Sequence, residues 1–238
     1  MTSSDRCWEN EKTAYNIIER LKMDENVVLY RKYRPKTFDD VLGQDSVIQA
    51  LRNEIMSGKH GHAYLLYGPH GTGKTTIARI FAKSLNCMNV SNGNPCNKCD
   101  SCVSIEQQSS VDVVEVDAAS NNGVENVREI IDQSQYMPRQ GTTRVYIIDE
   151  VHMLSMSAFN ALLKTLEEPT PNTVFILATT DWNKVPATIV SRCQKLALNY
   201  LPDHIIINRL QKVINDYNID HDKSAIVSIA GLAKGSMR

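Results

Sequence analysis

Residues 68–76 read GPHGTGKTT, a G-x-x-x-x-G-K-[ST] loop, and its flanks make it the strongest constraint on the fold. An apolar run, residues 63–67, precedes it, and a helix-compatible run, residues 75–85, follows. A strand, a glycine-rich turn and a helix N-terminus together aim backbone N–H groups at a polyphosphate. Gly68, Gly71 and Gly73 permit the tight curl, and Pro69, His70, Thr72 and Thr76 complete the loop. Lys74 is placed to reach the β- and γ-phosphates, and the Thr75 hydroxyl to ligate Mg²⁺.

The rest of the composition sets limits. A chain of 238 residues suits one large domain, or one with a small partner, and 42% hydrophobic residues supply a core. The formal net charge of -1 carries no basic excess, so nucleic-acid contact would have to come from local patches or from an assembly. No apolar run reaches membrane-span length. Asp5, Arg6, Glu9, Glu11 and Lys12 interrupt any signal-peptide core. A cytoplasmic protein is expected, in which cysteines serve as metal ligands better than as disulfides.

Residues 1–26 read as an N-terminal extension, with Ile17, Ile18 and Leu21 at helical spacing. Residues 27–200 alternate strands and helices. Strands are expected at 63–67, 112–116, 144–148, 173–178 and 194–198, and helices at 124–136, 155–167 and near Pro186. Runs such as VYII and VFILA suit a parallel sheet covered on both faces. The fold class is therefore α/β, with the ligand at the carboxyl ends of the strands. Residues 201–238 are helical only, over 203–217 and 223–233, and read as a small, partial second domain.

The strand ending at Asp149 and Glu150 delivers two carboxylates. Asp149 is expected to hold Mg²⁺, and Glu150 to polarise a water as general base. Another buried strand ends in Thr179 and Thr180, whose hydroxyls are candidates for touching that water or the γ-phosphate.

Cys87, Cys96, Cys99 and Cys102 follow C-x8-C-x2-C-x2-C, within a module of residues 87–102. Four thiolates this close suit one tetrahedral, structural Zn²⁺. The C-x2-C-x2-C run also matches part of an iron–sulfur pattern, but the fourth cysteine lies upstream and no Cys-Pro follows, which favours zinc. Free thiols are the third option. Cys7 and Cys193 have no partner in sequence.

Together these motifs resemble the gamma/tau subunits of bacterial DNA polymerase III, a group of AAA+ clamp-loader ATPases. The resemblance runs over about residues 29–238. It rests on LYRKYRPKTFDDVLGQ (29–44), HAYLLYGPHGTGKTT (62–76), the four cysteines and DAASNNGV (117–124). It continues through VYIIDEVHMLS (145–155), FNALLKTLEEP (159–169), FILATT (175–180), ATIVSRCQ (187–194) and GSMR (235–238).

The resemblance implies an AAA+ domain with a helical lid, ATP, Mg²⁺ and zinc. It also implies a hetero-oligomeric ring with other clamp-loader subunits, a sliding clamp and primer–template DNA. It makes Arg192 a finger acting in trans on a neighbour's γ-phosphate, Arg238 a lid arginine touching nucleotide in cis, and Thr180 the sensor-1 residue. Arg34, Pro35 and Val41 fall in the segment around adenine. Asn121, Asn122, Arg128 and Lys164 fall on elements that face DNA.

Two departures stand out. Residues 1–22 are extra relative to the family start expected at Met23, and the chain stops at Arg238 inside the lid pattern. Other readings are a branch-migration type of AAA+ motor and a non-hydrolysing scaffold. The cysteine module and the S-R-C motif oppose the first, and the intact Lys74, Thr75, Asp149 and Glu150 oppose the second.

Overall fold

The computed structural model describes residues 29–238. Cys7, Met23 and the helix expected around Ile17, Ile18 and Leu21 lie outside them. In chain order the elements are α1 (Leu29–Lys32), α2 (Asp45–Ser57), β1 (Ala63–Tyr67), α3 (Lys74–Leu85), α4 (Asp100–Glu106), β2 (Val113–Asp117) and α5 (Val124–Ser134). There follow β3 (Arg144–Asp149), α6 (Met156–Glu167), β4 (Thr173–Thr179), α7 (Ala187–Val190), β5 (Gln194–Ala197), α8 (Asp203–Asp216) and α9 (Lys223–Ala233). The chain divides into two compact units. One holds residues 35–69 and 73–199, the other residues 29–34, 70–72 and 200–238.

The first unit is built on a five-stranded sheet in the order β2-β3-β4-β1-β5. Every pairing is parallel. Successive side chains of a strand point to opposite faces, and here each face has its own core. Ala63, Leu65, Tyr146, Ile148, Phe175 and Leu177 pack with Val127 and Ile130 of α5 and Phe159 and Leu162 of α6. Tyr64, Leu66, Val145, Ile147, Val174 and Ile176 pack with Leu51 of α2 and Ile77 and Phe81 of α3. That double burial is why these strands carry no polar alternation. All seven residues of β4 are buried.

Aromatic pairs mark the two interfaces. Tyr146 stacks on Phe175 with centroids 5.3 Å apart. Tyr64 meets Phe81 edge-on at 5.0 Å. Burying a side chain of this size is worth about 1.5–3 kcal/mol.

Local signals set the element ends. Ser155 caps α6, its hydroxyl accepting from the Ala158 N–H at 3.2 Å. Gly58, at φ 65°, ends α2 in the left-handed region. Asp112 precedes β2 and fixes the approach to β3. Its carboxylate accepts the N–H groups of Arg139, Gln140 and Gly141 at 2.8, 2.6 and 2.8 Å. Burial by itself would raise the Asp112 pKa, but these donors and the Arg144 charge outweigh it and hold the carboxyl below its usual range.

The topology also positions the loop that follows β1. Helix α3 lies on one face of the sheet, whereas α5 and α6 lie on the other. Such a change of side opens a crevice at the carboxyl ends of the strands. The tips of β1, β3 and β4, which are neighbours in the sheet, meet there.

The second unit is helical. Ile214, Ile219 and Ile226 form one cluster, and Leu201, Ile206 and Ala230 another. Tyr33 joins it by donating to Asp216 at 3.0 Å and accepting on its carbonyl from Arg209 at 2.7 Å.

Candidate functional site

The loop after β1 needs its glycines for different reasons. Gly68 lies so close to β5's continuation that a Cβ would sit 2.2 Å from the Leu198 carbonyl oxygen. A Cβ on Gly71 would meet Ser236 Oγ at 1.9 Å, within the helical unit. There the Met237 N–H also donates to the Gly71 carbonyl at 3.0 Å.

Lys74 opens α3 and is only 6% exposed. Its Nζ donates to the carbonyls of Gly68 and Pro69, both at 2.8 Å. Burial pushes its pKa down, while the charges of Glu150 and Asp149 push it back up. The next residue ties two strand tips together: Thr75 Oγ1 donates to Asp149 Oδ2 at 2.6 Å. The residues are 74 positions apart in sequence. The Glu150 N–H donates to Asp149 Oδ1 at 3.0 Å, and the Ala118 N–H to the Asp149 carbonyl at 2.9 Å.

Glu150 itself leaves the sheet through a left-handed backbone, φ 48° and ψ 44°. A non-glycine residue there costs on the order of 1–3 kcal/mol. Its Oε2 accepts from Thr180 twice, from Oγ1 at 2.9 Å and from the N–H at 3.3 Å. Thr180 is therefore the β4-tip threonine that faces the acid. Thr179 is fully buried and its hydroxyl lies 3.0 Å from His152 Nδ1.

The remaining candidates separate. Val41 packs against the core beside Phe38, and Pro35 opens the same segment. Arg34 belongs to the helical unit, as do His70, Thr72 and Arg238. The Arg238 guanidinium lies 5.6 Å from the ring centre of Tyr30. Thr76 sits in the first turn of α3. Asn121 and Asn122 hold a turn: Asn121 Nδ2 donates to the Asp117 carbonyl at 3.1 Å, and the Asn122 carbonyl accepts the Ser155 N–H at 3.1 Å. Arg128 and Lys164 are exposed on α5 and α6.

Arg192 lies elsewhere. It comes just before β5, whose first residue, Gln194, is level with Tyr64 near the start of β1. The glycine loop begins beyond the last residue of β1. Four strand steps of about 3.3 Å separate Tyr64 from Gly68. Arg192 donates to the Thr188 carbonyl at 2.6 Å and ion-pairs with Glu167. With His62, Leu166 and Ser191, Arg192 and Glu167 line an open hollow at the amino ends of the strands.

The four cysteines converge, their sulfurs lying within 4.8 Å of one another. A tetrahedral zinc with bonds near 2.3 Å sets sulfurs about 3.8 Å apart, so the cluster can hold a metal. Backbone N–H groups already point at the sulfurs. Cys87 Sγ accepts from Cys96 and Asn89 at 3.2 and 3.4 Å, and Cys96 Sγ from Cys99 and Lys98 at 3.3 and 3.5 Å. The Lys98 and Cys99 N–H groups pull the Cys96 thiol down to about 6, whereas burial pushes Cys87 and Cys102 up. Buried Lys83 of α3 holds the module, donating to Asn97 at 2.8 Å and to Glu106 at 2.9 Å. Among the described residues the cysteines form no disulfide. Cys193 is buried, and burial pushes its thiol up to about 12.

Sequence reasoning overlooked His152. It lies two residues past Glu150, with Nδ1 3.4 Å from Glu150 Oε2. A titratable residue so close behind a strand-tip carboxylate is the signal that could have found it.

The parallel sheet with its glycine loop, the lysine, the paired acids and the cysteine module define the fold of an AAA+ P-loop NTPase. In keeping with this, the chain is similar in structure to the RuvB Holliday junction branch migration motor of Thermotoga maritima. That match has a TM-score of 0.61 at 21% identity and covers 86% of this chain and 61% of the other. A likeness at that identity is one of fold.

The chain belongs to the family described as DNA polymerase III, delta subunit, whose model matches residues 43–202. Among curated proteins it is similar to subunits named tau or gamma. It is 48% identical to DNA polymerase III subunit tau of Bacillus subtilis, over 88% of this chain and 37% of that one. It is 49% identical to the tau subunit of Escherichia coli K12, over 89% and 33%. The chain thus spans about a third of the length of these relatives. Among the described residues no helix is long and apolar enough to cross a membrane.

Proposed function

We propose that this chain binds and hydrolyses ATP as a subunit of a DNA polymerase III clamp loader in the cytoplasm. In this reading it works in a hetero-oligomeric ring that loads a sliding clamp onto primer–template DNA. The observation that carries the reading is the 2.6 Å bond from Thr75 to Asp149, which joins the phosphate loop to the acidic strand tip. The similarity to tau and gamma subunits supplies the replication context.

The glycine loop and Lys74 bind the polyphosphate, and the segment containing Arg34, Pro35 and Val41 takes the base. Thr75 and Asp149 offer the hard oxygen donors that Mg²⁺ prefers. When bound, that ion spreads charge over the β- and γ-phosphate oxygens. Glu150 takes a proton from water as the water oxygen bonds to the γ-phosphorus. The bond from that phosphorus to the bridging oxygen breaks, and ADP leaves with the electron pair. Thr180 holds the base in line, and Arg238 contacts the nucleotide from the same chain.

Arg192 is a finger for a neighbour, because its own loop lies at the far end of the strands. Asn121, Asn122, Arg128 and Lys164 are the candidates for DNA contact. Cys87, Cys96, Cys99 and Cys102 would hold one structural zinc. Cys99→Ser is expected to lower bound zinc well below one per chain by elemental analysis. It should also lower Tm by roughly 2–4 °C per kcal/mol lost. A protein that melts unchanged after losing its metal would argue against the structural role.

Calorimetry tests the core of the proposal. The folded, metal-replete protein should take up ATP, and Lys74→Ala should lose most of that affinity. ATP turnover in the assembled complex should rise with sliding clamp and primed DNA, and not with four-way junctions. Absence of ATP uptake by the unsubstituted protein would sink the reading.

A further inference from the structure

We propose that His152 is a positioning residue for the Glu150 carboxylate. The inference rests on the reading of Glu150 as the base of ATP hydrolysis and adds a part to that machinery.

The geometry begins with the backbone. Glu150 is held in the left-handed region, and the 3₁₀ turn Val151–Met153 follows it directly. The Met153 N–H closes that turn on the Glu150 carbonyl at 2.8 Å. The turn brings His152 back beneath the carboxylate it follows. Val151, fully buried, anchors the turn in the core. A strained residue kept by its surroundings points to a functional demand on where its side chain goes.

The side chains show what meets it there. Glu150 Oε2 accepts from Thr180 Oγ1 and the Thr180 N–H, and His152 Nδ1 lies 3.4 Å from the same oxygen. The same nitrogen anchors the imidazole, with Nδ1 3.0 Å from Thr179 Oγ1. That hydroxyl oxygen in turn accepts the Asp181 N–H at 3.1 Å. The His152 side chain is 12% exposed, so its ring is held by protein.

Chemistry selects the tautomer. A bare Nδ1 would set its lone pair against a carboxylate oxygen. With hydrogen on Nδ1, the N–H bonds the Thr179 hydroxyl, and the polarised edge of the ring lies 3.4 Å from Glu150 Oε2. The Thr179 bond fixes the ring. The 3.4 Å electrostatic contact steers the carboxylate without holding it so firmly that it cannot accept a proton. Thr179, fully buried, thereby acts on the base through His152.

The experiment compares three substitutions in the complete polypeptide assembled with its partner subunits. His152→Ala should lower kcat for ATP by about 10–100-fold, the usual cost of a misplaced reacting group. ATP affinity, KM and Tm should stay close to those of the unsubstituted protein. His152→Asn carries its Nδ2–H at the place of Nδ1–H and should keep kcat within about threefold of the parent. His152→Gln sets its amide one carbon further out and should behave like alanine.

A His152→Ala protein with full kcat overturns the inference. So do equal losses in the Asn and Gln variants, or a fall in ATP affinity that parallels kcat. If the unsubstituted assembly neither binds nor hydrolyses ATP, the parent reading fails first and takes this one with it. Normal turnover in His152→Ala removes this inference alone.

Discussion

Replacing Glu150 with glutamine is expected to lower ATP turnover by about 10²–10⁴-fold, the range a positioned general base supplies. ATP affinity should change little. The amide matches the carboxylate in shape, and its oxygen can still accept from Thr180, which donates to Oε2 from both hydroxyl and backbone. What it lacks is a site for the proton of the attacking water. The Lys74 environment changes in a second way, since Glu150 is the larger of the two charges that offset its burial. Calorimetry should therefore find nucleotide bound while single-turnover assays find almost no product. Unchanged turnover would remove Glu150 from the mechanism and leave the base unassigned.

Replacing Arg192 with alanine should have an effect as large, but only in the assembled complex. An arginine finger is worth roughly 10³–10⁵ in rate, because its cation meets charge that grows on the transferred phosphoryl. The isolated chain should show no comparable loss, since Arg192 sits beside Glu167 and the Thr188 carbonyl at the amino ends of the strands. Lysine should rescue poorly, because it lacks the planar fork of donors. Mixing experiments locate the effect: a complex with one Arg192→Ala subunit should lose hydrolysis at the adjacent nucleotide and keep it at its own. Equal loss in the isolated chain would place the arginine in cis and contradict the sheet register.

Much of the site could be read from the sequence because its chemistry is local. Gly68 to Thr76 lie together, and so do Asp149 and Glu150. The apolar runs of β1, β3 and β4 announce strands buried on both faces. Helix α2 is not foreshadowed by that reading, although Val47, Ile48 and Leu51 are spaced for a helix and Gly58 ends it. Helix α4 is hidden because it begins inside the cysteine module and Cys102 serves both. The expected helix over 124–136 stops at Ser134. The second strand starts at Val113 because the Asp112 carboxylate is committed to the turn at residues 139–141.

The choice between Thr179 and Thr180 depends on which one clears the end of β4 beside β3. Two adjacent hydroxyls give no sequence signal for that. For His152 the sequence offers proximity to Glu150 but not its geometry. Its nearness to the carboxylate comes from a left-handed turn at Glu150, which no residue preference announces.

The separation of Arg192 from the glycine loop along the strands has a geometric corollary. Two copies facing each other about a twofold axis would bring like surfaces together. Only a twofold that set the strands of the two copies antiparallel could bring each guanidinium to the other's loop, and such a pair closes on itself. If Arg192 is the proposed finger, a larger array in which each subunit serves the next must run in one direction. Unless it closes fully, its first and last members differ: one nucleotide goes without a donor, and one arginine has nothing to act upon.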